Sequence, residues 1–231
     1  MAASEDPGSS SALEAFPSPA RAKLSEQVRA VVLSVLVLTV LTGCIFPLLL
    51  GAVARTLFPR KANGSLVSRA DGIIAGSELI AQEFTQPKYF QPRPSAAGNG
   101  YDATASGATN LGPNNPKLKD GAPGFAGIQQ LAEEYRKRNG LAPDAPIPID
   151  AVTRSASGLD PDISPENAVL QAPRVARARG GNLAAVLQLV RDHTKGPQLG
   201  LLGAVRVSVL ELNVALDEAF QRPGAHGTDR D

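Results

Sequence analysis

The chain has no tryptophan, one cysteine, two histidines and an aromatic content of only 4% in 231 residues. So few rings leave no platform on which single-stranded nucleic acid could stack. Charge of one sign is missing too: 23 Lys and Arg against 22 Asp and Glu give a net +1, which provides no field to hold a polyanion. The lone Cys44 excludes an intrachain disulfide framework and a cysteine-rich metal site. His193 and His226 are little material for a zinc centre or a histidine-based triad. No catalytic constellation and no metal site is expected.

What the chain does contain is a long uncharged run, Ala30 to Ala54 (AVVLSVLVLTVLTGCIFPLLLGAVA). As a helix its roughly 25 residues reach about 37 Å, enough to cross a hydrocarbon core of about 30 Å with some tilt. A cleaved secretory signal is a poorer reading, because its apolar region covers only about 7–15 residues. Leu41-Thr42-Gly43-Cys44 looks like a lipobox, yet the chain stays apolar through Ile45-Phe46-Pro47-Leu48-Leu49-Leu50, where a mature lipoprotein would turn polar. Thr39, Gly43, Pro47 and Gly51 recur every four residues, so they stay near one helix face while drifting slowly around it. Small residues on one face let a second helix approach closely in lipid, and these four are candidate partner-facing positions. Pro47 should kink the helix. Basic residues flank both ends (Arg21, Lys23 and Arg29 before; Arg55, Arg60, Lys61 and Arg69 after), so charge does not orient the span.

The rest divides simply. Residues 1–22 lack periodicity and predict a disordered tail, as does the polar end, 221–231. Leu66-Val67 and Ile73-Ile74 around Asp71-Gly72 predict a hairpin or turn. Gln86 to Leu118 holds many Pro, Gly and Asn, and no regular element fits it. Tyr89, Phe90, Tyr101 and Leu111 are anchors that favour an ordered irregular surface over a linker. Ile128, Leu131 and Tyr135 make a helical stripe within Phe125–Arg138. Pro148 to Thr153 could be a short strand. Ser164-Pro165-Glu166 starts a helix that Pro173 threatens to interrupt, and Asn182 caps another over Leu183–His193. Val205 to Leu210 suggests a strand and Leu212 to Phe220 a last helix. The fold class expected is α+β: one transmembrane helix, then a mixed domain over residues 63–220 with short strands and several helices.

Signs of chemistry are weak. No Walker-type loop and no Asp-Lys-Thr-Gly-Thr phosphorylation sequence occurs. Ser106-Gly107-Ala108 faintly echoes a nucleotide loop. Asp160 and Asp162 around Pro161 could share a cation, or could be turn chemistry. His193 suits a helix C-terminus. Arg174, Arg177 and Arg179 read as a solvated basic face.

In order, these segments resemble a known family, the C chain of Kdp-type potassium-transporting ATPases. The resemblance is carried by Pro87-Lys88-Tyr89-Phe90, Arg93-Pro94-Ser95-Ala96, Tyr101, SGATNLGPNNP (106–116), IPIDAVTRSASGLDPDISP (147–165), Gln171, Arg174 to Gly180 (RVARARG), His193-Thr194 and Val209 to Asp217 (VLELNVALD). Leu41-Thr42-Gly43 and Phe46 to Leu49 agree as well. Asp162, Ala108-Thr109, Ala204-Val205 and Ser208 depart from the family pattern, which often has His, Gly-Ser, Glu-Pro and Asn there.

The resemblance implies an accessory, non-catalytic subunit of a plasma-membrane pump for high-affinity, ATP-driven potassium uptake. Its partners would be a potassium-conducting chain and a P-type ATP-hydrolysing chain. Residues 1–29 would be a disordered cytoplasmic tail, 30–54 would span, and 63–220 would lie outside. It also implies a catalytic chaperone that raises the hydrolysing chain's affinity for ATP, so ATP would act through that chain and no cofactor is assigned to this one. Besides the four helix positions, Tyr89, Phe90, Arg93, Asn110, Asn115, Asp160 and Arg174 are candidate partner-facing residues. A membrane-anchored binding module or lipoprotein acting alone is the alternative.

Overall fold

A computed structural model describes residues 23–220. The tails expected at 1–22 and 221–231 lie outside the described residues. The chain divides into two compact units that meet in sequence at Phe58 and Pro59.

The first unit is one long helix: α1 (Leu24–Val40), a π-turn (Leu41–Ile45) and α2 (Phe46–Leu57). It begins before the apolar run, so Leu24–Arg29, assigned above to the tail, are helical. None of its residues is buried. By length and composition the stretch Leu24–Leu57 can cross a membrane. Ser34 Oγ donates to Ala30 O at 2.6 Å and Thr42 Oγ1 to Leu38 O at 2.7 Å, which hides both hydroxyls within the helix. Where a simple proline kink was expected, the helix widens instead. Pro47 has no N–H and its ring crowds the carbonyl one turn back; the π-turn absorbs this, with the Phe46 N–H bonded to Leu41 O. Fewer degrees per residue in the wide turn also offset the drift of a four-residue spacing, which keeps Thr39, Gly43, Pro47 and Gly51 closer to one face than a plain α-helix would.

The second unit mixes helix and strand. After the single turn α3 (Pro59–Ala62) come β1 (Leu66–Ser68) and β2 (Ile74–Ser77), the expected hairpin, paired antiparallel with a bulge after Val67. Asp71 Oδ1 accepts the Ile73 N–H at 2.9 Å to set its turn. An irregular stretch follows, broken by α4 (Pro116–Asp120), and α5 (Ile128–Asn139) carries the predicted stripe. Then come β3 (Asp162–Ile163), α6 (Pro165–Ala178), α7 (Leu183–Asp192), β4 (Thr194–Lys195), β5 (Arg206–Ser208) and α8 (Val209–Phe220). The second sheet is antiparallel in the order β3-β5-β4.

The main core joins Phe90, Ile163, Val175, Val186, Val207, Leu212 and Leu216 from α6, α7, α8, that sheet and the irregular stretch. A smaller cluster centres on Tyr135, Ala151 and Val152.

Three local expectations change. Residues 148–153 form a 3-10 turn (Ile149–Ala151), not a strand. Pro148 cannot donate to a ladder, and the Asp150 carboxylate instead receives Ser164 N–H and Oγ and Asn167 Nδ2 at 2.8–2.9 Å, anchoring the start of α6. Helix α6 passes through Pro173 unbroken because Pro173 and Val169, whose carbonyl it leaves unbonded, are solvent-exposed. The expected strand 205–210 shortens to Arg206–Ser208, since Val209 donates to Pro161 O at 3.0 Å and already begins α8. The caps Ser164 and Asn182 form as expected, accepting from Asn167 N and Ala184 N.

Candidate functional site

The stretch Pro87–Gln91 runs through the domain without a strand beside it. Its carbonyls are met by side chains of α6 and α8, with Arg179 just beyond α6. Arg174 Nη1 donates to Pro87 O and, at 2.9 Å, to Tyr89 O. Arg179 Nε donates to Lys88 O at 2.8 Å. Asn213 Nδ2 donates to Phe90 O at 2.9 Å and its Oδ1 accepts the Phe90 N–H at 2.8 Å. Gln171 does the same for Gln91, at 3.1 and 2.8 Å. A carboxamide offers the same donor and acceptor pair as a peptide group, so Asn213 and Gln171 replace a neighbouring strand.

Behind this clamp, Arg174 Nε bonds Asn139 Oδ1 at 2.9 Å and Nη2 bonds Gln171 Oε1 at 2.8 Å. Tyr135 OH bonds Asn167 Oδ1 at 2.8 Å, and Asn167 reaches Asp150. Burial, with Arg138 adding to it, pulls the Arg174 pKa down to about 10. Burial also raises the Tyr135 hydroxyl well above its usual value. Arg179 pairs with Asp217 at 2.9 Å, and Tyr89 OH reaches the other oxygen of that carboxylate.

Two expectations are therefore corrected. Arg174 and Arg179 do not form a solvated face: Arg174 is buried and the Arg179 side chain nearly so, leaving Arg177 exposed. Phe90 has no exposed surface. Phe90 and Arg174 thus brace the interior and offer a partner no side chain. The clamp has a sequence signal that pattern reading passed over. Asn167, Gln171 and Arg174 follow a four-then-three spacing beside Ala168, Ala172 and Val175, so polar groups sit where a helix should be apolar.

A second junction ties the loops together. Arg93 pairs with Asp160 at 2.9 Å, Tyr101 OH donates to Arg93 O at 2.8 Å, and Ser95 Oγ donates to Gly158 O at 2.6 Å. Burial pushes the Tyr101 hydroxyl up to about 12. Ser106 Oγ and the Gly107 N–H both bond Ser157 O at 2.9 Å, so this tripeptide pins one loop to another. Asp160 accepts the Asp162 N–H, and Asp162 pairs with Arg206 at 3.0 Å. Burial raises the Asp162 pKa while Arg206 opposes the shift. These partners make the Asp-Pro-Asp turn a structural joint, and among the described residues no group of three metal-ligating side chains occurs. Asn115 caps α4 through Lys117 N, Asn110 takes a left-handed backbone (φ 51°), and His193 Nδ1 lies 2.9 Å from Leu189 O at the end of α7.

Two open clefts flank this junction. One, about 430 Å³, mixes Glu83 and Glu134 with Arg138 and Arg154. The other, about 510 Å³, contains Lys117 and Arg154, both held over the Phe125 ring at 4.9 and 4.3 Å.

The most conspicuous surface feature lies elsewhere, in the uncharged stretch 196–205. Leu199 is 95% and Leu201 83% exposed, with Leu202 and Val205 also outside. The loop is ordered: Gln198 and Leu202 exchange backbone hydrogen bonds at 2.8 and 2.9 Å, and Leu199 is held at φ 54°. The flanking charges are engaged, Lys195 with Glu211 and Arg206 with Asp162. Sequence reading missed it, although its signal was plain in GPQLGLLGAV, ten residues without a charge. In the helical unit, a Cβ added at Gly43 or Gly51 meets nothing within 4 Å, so the small-residue face stands open.

The family described as K+-transporting ATPase, c chain, matches residues 28–218. A Mycobacterium bovis protein named potassium-transporting ATPase KdpC subunit is 51% identical over 182 residues, covering 79% of this chain and 93% of its own. A Koribacter versatilis protein of the same name is 50% identical over 192 residues, covering 83% and 94%. One from a Caulobacter species is 48% identical over 200 residues, covering 87% and 97%. With the match running from the apolar helix to α8, the chain belongs to the family of K+-transporting ATPase c chains, the KdpC subunits.

Proposed function

We propose that this chain is the accessory subunit of an ATP-driven potassium pump. It acts by docking to a potassium-conducting chain and a P-type hydrolysing chain, which carry out the transport chemistry. The observation that carries this reading is the ordered apolar loop Gln198–Val205. Exposed leucines on a pre-formed hairpin have no use inside the domain, and patches of this kind mark contacts with other proteins. The open face of Thr39, Gly43, Pro47 and Gly51 supplies a second contact, within the bilayer. Tyr89, Arg93, Asn110, Asn115 and Asp160 act behind these contacts, by holding the domain's shape.

Replacing Leu199, Leu201 and Leu202 together with Asn tests it. All three are exposed, so folding should survive. Co-purification with the other pump chains should fall, by at least tenfold if each leucine contributes about 1 kcal/mol. Undiminished assembly would sink the docking role. The catalytic-chaperone role follows from the same contact. A subunit that prefers one state of the hydrolysing chain shifts that chain's ATP affinity with no nucleotide site of its own. Any residual complex formed by the triple variant should therefore show a raised KM for ATP.

Sidedness is part of the proposal: N-terminus cytoplasmic, residues 63–220 outside the plasma membrane. Alkaline phosphatase fused after Phe220 should be active, and an inactive fusion would reverse the orientation.

A further inference from the structure

We infer that the β1–β2 hairpin is a second membrane contact, lying on the bilayer surface with Ile73 and Ile74 among the lipid chains and Lys61 and Arg69 at anionic phospholipid headgroups. The inference rests on the helical unit spanning a bilayer. It does not depend on assembly with other chains.

Covalent reach places the hairpin near the lipid. The domain starts at Pro59, directly after the helical unit. Ser65 N–H bonds back to Arg60 O at 3.0 Å, Ser77 Oγ to Gly64 O at 2.7 Å, and Glu78 N–H to Ser65 O at 3.1 Å, with Arg60 paired to Glu78. The base of the hairpin is therefore fastened to the first turn after the span. Three residues of β1 add about 10 Å, so the tip stays within about 20 Å of the membrane exit whatever the orientation of the domain.

The exposed chemistry fits an anionic bilayer. Ile74 stands opposite Ser68 and shares its face with Leu66. Leu66, Ile73 and Ile74 are 46%, 59% and 58% exposed. The other side of the hairpin is occupied, since β2 packs on α8. Arg60, Lys61 and Arg69 face one acid of the turn, Asp71, and the pairing partner Glu78, so the stretch from Pro59 to Glu78 is net positive. The loop Gln198–Val205 contrasts with this, for its flanking cations are already paired. Of the three cations Arg60 is paired with Glu78 and Arg69 lines a cleft with Tyr89 and Asp217, while Lys61 is exposed and in no ion pair among the described residues. The net positive charge beside the exposed isoleucines favours anionic lipid over a protein groove.

The test uses the full chain with Cys44, its sole cysteine, replaced by Ala and a polarity-sensitive fluorophore on Ile73→Cys. The protein is reconstituted in phosphatidylcholine vesicles with or without phosphatidylglycerol. In anionic vesicles the emission should shift to the blue and be quenched by spin-labelled acyl chains. Raised salt should weaken both effects. Lys61→Gln and Arg69→Gln should each lower the ratio of lipid-bound to free hairpin about fivefold. Water-like emission untouched by spin labels in both vesicles would overturn the proposal. So would quenching or a blue shift that appears only when the pump's other chains are added, since the hairpin would then be a protein dock. A Leu49→Cys probe reports the span itself. If that probe escapes quenching, the membrane reading falls and the hairpin contact with it; if it is quenched while Ile73→Cys is not, the hairpin contact alone falls.

Discussion

Arg174→Ala should destabilise the domain by about 3–5 kcal/mol, a large part of the 5–15 kcal/mol that holds an ordinary domain folded. The guanidinium supplies four hydrogen bonds, to Pro87 O, Tyr89 O, Asn139 Oδ1 and Gln171 Oε1. Truncation leaves these acceptors facing a void, and an unsatisfied buried polar group costs about 1–3 kcal/mol. The losses fall short of additive because Gln171 Oε1 still accepts the Gln91 N–H. Lysine should rescue little. It carries the charge but lacks the planar fork that reaches acceptors on three segments at once. Arg177→Ala is the internal control: same helix, same charge, exposed side chain, and an expected change within about 0.5 kcal/mol. Thermal unfolding of the full chain in detergent or nanodiscs, followed by circular dichroism, gives the comparison. Equal midpoints for the Arg174 and Arg177 variants would refute the clamp.

Gly158→Ala has the second-largest expected effect, with a different cause. Gly158 holds φ +69°, and a Cβ there would sit 2.6 Å from both Ala97 N and Gly107 O. Those are backbone atoms in two other loops, so no side chain can rotate out of the way. The left-handed conformation costs alanine about 1–2 kcal/mol, and forcing the loops apart adds about 1–3 kcal/mol. Gly140→Ala separates the two contributions. Its φ is +67°, but an added Cβ meets nothing within 4 Å, so only the conformational cost applies. Denaturant unfolding should show Gly158→Ala clearly less stable than Gly140→Ala. If the two lose stability equally, the close approach of the three loops carries no weight.

Much of the molecule was legible beforehand because local chemistry decides it. An uncharged run of this length has little choice but a membrane-type helix. Ser164 and Asn182 cap helices through their own side chains, and Asp71-Gly72 turns a hairpin by the same kind of local bond. Residues 148–153 were misjudged because their best hydrogen-bond partners, Ser164 and Asn167, lie in the next element. In valine-rich 205–210, Arg206–Ser208 kept its β preference, while Val209 followed Pro161 into α8.

By itself, then, the amino-acid order determined the apolar helix, the main helical stripes and, through its motifs, the family. Tertiary structure alone decided what the polar residues inside those motifs do. Phe90 became core, and Gln171, Arg174 and Asn213 became the backbone partners of a segment with no strand beside it. Hydrogen bonds between residues some 80–120 positions apart leave no periodic trace. They exist only once packing has excluded water from both ends, which no local pattern encodes.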